Sequence, residues 1–279
     1  MNILIVGHGF VGQAVDYGFE HPKVNKTIVD PKYGRLLHDI DINHFDFIFV
    51  CVPTPMGTLG CVDDSVLSDI METIANKQNK AIIIIKSTIT PDIISKYDQD
   101  NVVYNPEFLT EKNANEQFIN PQFHVFGGNP DACSNVANLF DNFSNVHPSP
   151  AYVMTLEEAS FVKYTINTFL AMKVTFFNQL YDVVNETDAN FAKIANVVGQ
   201  DSRIGLSHTR VPGYDGKQGF GGACFPKDTN AFFHYSNKLT LLEECIRINN
   251  TYRSRYELDE REKEQNIEYN GQTQKELKD

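Results

Sequence analysis

The chain has 279 residues, 42% of them hydrophobic and 22% charged, with a formal net charge of −12. That length suits one large domain or two modest ones, and the acidic balance speaks against a nucleic-acid surface and against adhesion to an anionic membrane. The five cysteines are widely spaced, odd in number and form no C-x-x-C, which disfavours a disulfide framework or a zinc site and points to a reducing cytoplasm.

The opening MNILIVGHG runs straight into a strand, so no signal peptide is expected, and the apolar runs are too short to span a membrane. Short apolar runs recur at 2–6, 27–29, 47–52, 81–85, 102–104 and 123–126. Runs this apolar are buried on both faces, as parallel strands covered by helices are. Between them fall candidate helices at 11–20, 64–76 and 91–97, the last with Thr90 as N-cap and Pro91 at its first position. The alternation predicts an α/β domain with a doubly wound parallel sheet over residues 1–150.

The first strand runs into Gly7-His8-Gly9-Phe10-Val11-Gly12 and then a helix. In that context G-x-G-x-x-G marks a dinucleotide site. Gly7 permits the tight turn, Gly9 lets a pyrophosphate reach the helix N-terminus, and Gly12 lets the helix pack close to the strand. Asp30 ends the second strand, where a carboxylate binds the ribose hydroxyls of NAD and repels the extra phosphate of NADP. Lys32 and Arg35 follow closely and pull the other way. Two further strand ends carry Pro53-Thr54-Pro55 and Lys86-Ser87-Thr88, at the edge where such sheets bind ligands; either alone also reads as ordinary loop chemistry.

The second half is helical. Residues 155–185 contain no Gly or Pro and place apolar residues at helical spacing. A helix so long and so apolar on several faces is normally covered by another domain or a second subunit. Lys163 and Asn167 stand four apart and share a face; spacing alone leaves open whether they point into a site or line a solvated stripe. Shorter helices are expected at 188–199, 226–237 and 240–256. The polar segment 259–279 reads as a frayed helix end and a disordered tail. Residues 219–228, GFGGACFPKD, put Cys224 in a glycine-rich loop before a helix, where the thiolate is favoured and Lys227 adds positive charge. Read by itself, a lone cysteine is more often a packed thiol.

With GHGFVG and Asp30, the VPTP at 52–55, the KST at 86–88, NPEFLTE at 105–111, KYTIN at 163–167, RIG at 203–205 and GFGGACFPKD occur in one order. The chain resembles the UDP-glucose/GDP-mannose dehydrogenase family to about residue 255. The resemblance implies a Rossmann-type NAD-binding domain over 1–150 and an all-helical central and dimerisation domain over 151–258. It implies a four-electron oxidation of a nucleotide-sugar C6 alcohol to the uronate, with UDP-glucose as substrate, NAD as cofactor and no metal. Cys224 would be the nucleophile, Glu107 the acid/base, Lys163 and Asn167 the pair at the reacting oxygen, Asp228 the carboxylate near the sulfur, and Thr88 the hydroxyl holding a catalytic water. Cofactor contacts would come from Gly7, Gly9, Phe10, Val11, Gly12, Asp30, Arg35, Pro53, Thr54, Ser87, Thr88 and Lys227. Substrate contacts would come from Glu107, Phe108, Leu109, Glu111, Lys163, Asn167, Arg203, Phe220 and Gly221, with the loop 211–218 over the sugar nucleotide. A homodimer through the long helix is expected.

Family members carry a third, C-terminal α/β domain that binds UDP, and no strand–helix alternation follows residue 256 here. A short form lacking that domain is expected. Two alternatives stand beside this reading: a two-electron dehydrogenase of the β-hydroxyacid type, which has no need of Cys224, and a nonenzymatic protein that binds NAD or a nucleotide sugar.

Overall fold

Seven strands form one sheet in the computed structural model, which describes residues 1–77 and 79–269, and two of them, Phe47–Val50 and Ile82–Ile85, are unbroken runs of Ile, Val and Phe. They are β1 (Asn2–Val6), β2 (Asn25–Val29), β3 (Phe47–Val50), β4 (Ile82–Ile85), β5 (Val102–Tyr104), β6 (His124–Gly128) and β7 (Ala151–Met154), in the order β2-β1-β3-β4-β5-β6-β7. All four residues of β3 are buried, as a strand covered on both faces requires. The helices of this region are α1 (Phe10–Gly18), α2 (Ser65–Asn76), α3 (Pro91–Ile94), α4 (Ala114–Ile119) and α5 (Pro130–Phe143). Thr90 stands at the N-cap of α3 as expected, but its side chain makes no cap hydrogen bond.

The core packs Ile3, Ile5, Phe19, Phe49, Ile84, Phe126 and Phe140 together. Phe19 meets Phe49 and Phe140 with ring centroids 5.1 and 5.2 Å apart. Each such side chain contributes about 1.5–3 kcal/mol by leaving water.

The sheet is not wholly parallel as expected: β5 and β6 pair antiparallel, Tyr104 opposite Gly127. The chain leaves β5 at the carboxyl edge of the sheet. It spends residues 105–123 on a loop and α4, which packs on α1, and re-enters from that same edge. Gly18 makes the α1–α4 approach possible, because a Cβ there would lie 2.2 Å from the Phe118 ring. The edge strand β7, with Tyr152 and Val153 exposed, gave no core signal in the sequence.

The chain divides into two compact units. The first comprises Met1–Thr54 and Asp63–Lys163 and holds the sheet; the second comprises Pro55–Val62 and the chain from Tyr164 onward. The 30-residue helix α6 (Leu156–Asn185) starts in the first unit and continues into the second. The second unit adds α7 (Phe191–Gln200), α8 (Phe225–Tyr235), α9 (Thr240–Arg253) and α10 (Glu260–Glu264). Among the described residues no helix is long and apolar enough to cross a membrane.

Helix α6 departs from the usual amphipathic pattern, burying polar side chains beside Ala159, Tyr164, Ala171 and Phe177 and leaving several apolar ones exposed. Its buried positions include Ser160, Lys163, Asn167, Thr168, Thr175 and Asn178, whereas Phe169, Phe176 and Val183 are about 60% exposed, at 61, 61 and 60%.

The expectation of a disordered tail fails for residues 259–269. Asp259 and Glu262 form a capping box at the start of α10, and Glu262 and Ile267 are buried. The sequence hid this because the anchor is an ion pair, Glu262 with Arg253, rather than an apolar period. Residues 270–279 of the expected tail lie outside the described residues.

Candidate active site

The parallel strands β1 to β5 deliver their carboxyl ends, and the turns that follow, to one edge of the sheet in the first unit. Gly7 follows β1 with φ +87°, and a Cβ there would lie 2.7 Å from the Cys51 carbonyl oxygen. A Cβ on Gly12 would lie 2.1 Å from the Gly7 carbonyl oxygen, so only glycine fits in the first turn of α1 at that position. A Cβ on Gly9 would meet nothing within 4 Å among the described residues. Its bareness therefore serves no packing and leaves the N-terminus of α1 open, a fit for a pyrophosphate. Phe10 and Val11, in the first turn of α1, are part-buried.

Asp30 follows β2 and accepts from the His8 and Lys32 backbone N–H groups at 2.7 and 2.9 Å. Each carboxylate oxygen has a second lone pair for a ribose hydroxyl. Lys32 turns its ammonium back to the His8 carbonyl, and Arg35 is exposed. Behind β3, Pro53 is exposed while Thr54 is buried and donates to the Thr88 carbonyl at 2.8 Å. Ser87 donates to the Val52 carbonyl at 2.7 Å, so the turns after β3 and β4 are fastened to each other.

The loop after β5 carries Glu107, Phe108 and Leu109. Buried Lys163 donates to the Glu107 carbonyl at 2.6 Å and to its carboxylate at 3.0 Å, and sits 5.5 Å from the centroid of the Phe108 ring. The other Glu107 oxygen accepts from the Leu109 N–H at 2.6 Å. Glu111 begins a short 3₁₀ turn in the same loop.

Sequence reasoning passed over Lys86 as a site residue. It is buried, donates to the Asn105 carbonyl at 3.0 Å and to the Asn105 side chain at 2.7 Å, and lies within 4 Å of no carboxylate among the described residues. Burial lowers its pKa to about 8, with Lys163 acting in the same sense and Cys51 and Glu107 opposing. Two buried lysines thus grip the Asn105–Glu107 turn at its two ends, each through a main-chain carbonyl. The clue in the sequence was a lysine directly after an all-isoleucine strand.

In the second unit Cys224 is the N-cap residue of α8 and is half-buried. Its carbonyl accepts from the Asp228 N–H at 2.8 Å, one turn on. The fully buried Asp228 carboxylate takes Asn167 Nδ2 on one oxygen and Lys227 Nζ on the other, both at 2.6 Å. Lys227 is therefore buried and ion-paired rather than an open cofactor-binding cation. Asn167 and Lys163, one turn apart on α6, each hold a carboxylate, Asp228 and Glu107 respectively.

Cys61, like Cys224, is partly exposed, whereas the other three cysteines are buried. Cys51 is pushed up to about 12, and Cys133 and Cys245 to about 11, each chiefly by desolvation. They are packed thiols. The Gly219–Gly222 loop before Cys224 is fixed by buried amides: Gly219 N–H donates to Asn178 at 3.0 Å, and Phe220 exchanges both main-chain hydrogen bonds with Asn249. Phe220 itself is buried. Arg203, expected to touch substrate, is solvated and holds its neighbour Asp201 with two nitrogens. The loop 211–218 is fastened to its own unit, Asp215 on Arg253 at 2.7 Å and Lys217 on the Glu257 carbonyl at 2.6 Å.

Residues 32–144 match the NAD binding domain of the UDP-glucose/GDP-mannose dehydrogenase family, and residues 157–251 match that family's central domain. UDP-glucose 6-dehydrogenase of Rickettsia typhi is 31% identical over 296 residues, covering 89% of this chain and 67% of that protein. UDP-glucose 6-dehydrogenase TuaD of Bacillus subtilis is 29% identical over 248 residues, covering 82% of this chain and 52% of that protein. The chain spans about half to two-thirds of the length of such curated relatives, 52% to 67%. Among solved structures, a UDP-glucose dehydrogenase from Pyrobaculum islandicum superposes with a TM-score of 0.75 at 25% identity, over 90% of this chain and 68% of that one. Mycobacterium tuberculosis 3-hydroxyisobutyrate dehydrogenase gives 0.67 at 14% identity over 88% of this chain and 90% of that one, a likeness of fold alone.

Proposed function

Since the chain belongs to the UDP-glucose/GDP-mannose dehydrogenase family, we propose that it oxidises the C6 alcohol of UDP-glucose to the carboxylate in two hydride transfers, in the reducing cytoplasm its five thiols suit. The observation that carries the reading is the set around α8: a half-buried Cys224 at the helix N-terminus, with Asp228 one turn on holding Asn167 and Lys227. Bound NAD supplies the hydride acceptor, once for each oxidation. Gly7, Gly9, Gly12 and Asp30 would hold it, with Thr54, Ser87 and Thr88 at the neighbouring strand ends.

Lys163 and Asn167 stabilise negative charge on the C6 oxygen as the alcohol loses its proton. The Cys224 thiolate adds to the C6 aldehyde, forming a C–S bond and moving the carbonyl electrons to oxygen, which then takes a proton. Loss of the second hydride and of the hydroxyl proton leaves a thioester. Glu107 draws a proton from a water held by Thr88; the water adds to the thioester carbon, the C–S bond breaks, and the thiolate leaves. The sum is one alcohol and one water to one carboxylate, with two NAD reduced.

The test is NADH formed per UDP-glucose consumed, by wild type and Cys224→Ser. Two NADH in wild type, with severe loss in the variant, is the expected result. One NADH, unchanged in the variant, would point to a two-electron β-hydroxyacid-type enzyme. Tight NAD binding with no NADH from any nucleotide sugar would make this a binding protein.

A second copy of the chain is proposed to cover Phe169, Phe176 and Val183 on α6. Light scattering at micromolar concentration should return a dimer mass.

A further inference from the structure

The glycine loop before Cys224 rests on a buried ion pair, one partner of which, Glu262, falls in the segment expected to be a disordered tail. Arg253, the last residue of α9, and Glu262 in α10 are 1% and 0% exposed. Arg253 Nη2 donates to Glu262 Oε1 at 2.6 Å, and that same oxygen accepts from the Tyr269 hydroxyl at 2.7 Å and from the Gly222 N–H at 3.2 Å. Glu262 Oε2 accepts from the Asp259 N–H at 2.9 Å. A Cβ on Gly221 would lie 2.2 Å from Arg253 Nη2 and 2.5 Å from Glu262 Oε1, so the loop lies directly on the pair. Arg253 Nη1 also holds Asp215 of the preceding loop at 2.7 Å. Cys224 comes two residues after Gly222.

We infer that Glu262 and Arg253, carried by the strap Asp259–Tyr269, are positioning residues that set the height and direction of the Cys224 thiol. The inference rests on the reading of Cys224 as nucleophile for its effect on turnover, but not for its effect on the thiol. A carboxylate with three donors on one oxygen is fixed in place, and the Gly222 N–H is fixed with it. Burial favours the neutral form of Glu262, yet Tyr269, the Asp259 N–H, Arg253 and the Gly222 N–H outweigh it and hold its carboxyl below the ordinary value. The strap thus presents the loop with a permanent negative charge matched to a permanent positive one.

The experiment compares the whole chain with Glu262→Gln and Tyr269→Phe. It reads kcat and KM with UDP-glucose and NAD, and the rate of Cys224 alkylation by iodoacetamide across pH, located by peptide mass. Glutamine still accepts from Gly222 but cannot balance the guanidinium. Glu262→Gln should lower kcat about tenfold to a hundredfold, the range a misplacement of about 1 Å commands, with KM for NAD unchanged. Its alkylation profile should shift along pH. Tyr269→Phe, which leaves the ion pair intact, should shift the alkylation rate in the same direction by a smaller factor. A strap that merely adds stability would lower the melting temperature and leave both alkylation profiles where they were; that result, at a temperature where the variants are folded, overturns the inference. If Glu262→Gln does not fold, Tyr269→Phe decides by the same readout. Full two-NADH turnover by Cys224→Ser would instead sink the nucleophile reading while leaving the alkylation shift to stand for the strap.

Discussion

Two glycine-rich loops, Gly7–Gly12 and Gly219–Gly222, look alike as sequence and differ in what their glycines are for. In the first, Gly7 and Gly12 are pressed by backbone, but Gly9 faces open space. In the second, Gly221 is pressed by a buried guanidinium and carboxylate, and Gly222 is the open one, with φ +78°. The supports differ too. The first loop is held by the Gly7 N–H on the Val29 carbonyl and the His8 N–H on the Asp30 carboxylate. The second has an ion pair. The first loop is bare toward open space at Gly9; the second is bare at Gly221 so that the protein's own charges can come close.

Four measurements sharpen or break that contrast. Gly221→Ala should have the largest effect. It drives a methyl into the Arg253–Glu262 pair, so about 1–3 kcal/mol of stability should be lost with most of the activity. Melting and turnover equal to wild type would mean the loop does not lean on the pair.

Next is the pH dependence of Lys86. Below pH about 8 it is charged whether folded or unfolded, and the full burial cost is present. As pH rises above that value the folded state sheds the proton while the unfolded lysine, near 10.4, keeps it, so stability due to this group rises with pH. Urea unfolding at pH ~7.5 and ~9.5 should show wild type gaining about 2 kcal/mol on Lys86→Met. An unchanged gap would sink the claim. Glu262 beside the second loop has the same sign in a lower range: it titrates below its ordinary value, so its contribution is present above that range and is lost as pH falls through it.

Gly9→Ala comes third. Unfolding should move by less than ~0.5 kcal/mol while NAD binding weakens about tenfold, near 1.4 kcal/mol. A stability loss without an affinity loss would reverse the assignment. Smallest is Gly222→Ala, about 1 kcal/mol for a positive φ with no neighbour within 4 Å, read by melting.

The strand–helix alternation, the long helix and the loop of Cys224 were legible because apolar period and glycine spacing are local signals. Five of the expected site residues, Glu107, Lys163, Asn167, Lys227 and Asp228, are joined by hydrogen bonds within their units. Arg203 is instead held by its neighbour Asp201. What stayed hidden was polar and distant. The reversed β6 follows from a long return through α4, and Lys86, Arg253 and Glu262 owe their burial to partners that no period marks. Polar residues with a helical period look solvated in sequence, although on α6 Ser160, Lys163, Asn167 and Asn178 are buried alongside Tyr164, Ala171 and Phe177.

The second unit is discontinuous, and that has a kinetic consequence. Pro55–Val62 belongs with residues beyond Tyr164, and its Met56 N–H and carbonyl bond to Gln265 and Asn266, 210 residues away for the latter. Closing a loop of that length costs only about 2 kcal/mol more than closing one ten times shorter. It is nevertheless slow, because such contacts reward the chain last. The strap Asp259–Tyr269 under the Cys224 loop is therefore expected among the late-forming parts of the molecule, and refolding followed through Cys224 reactivity should lag behind refolding followed through the sheet.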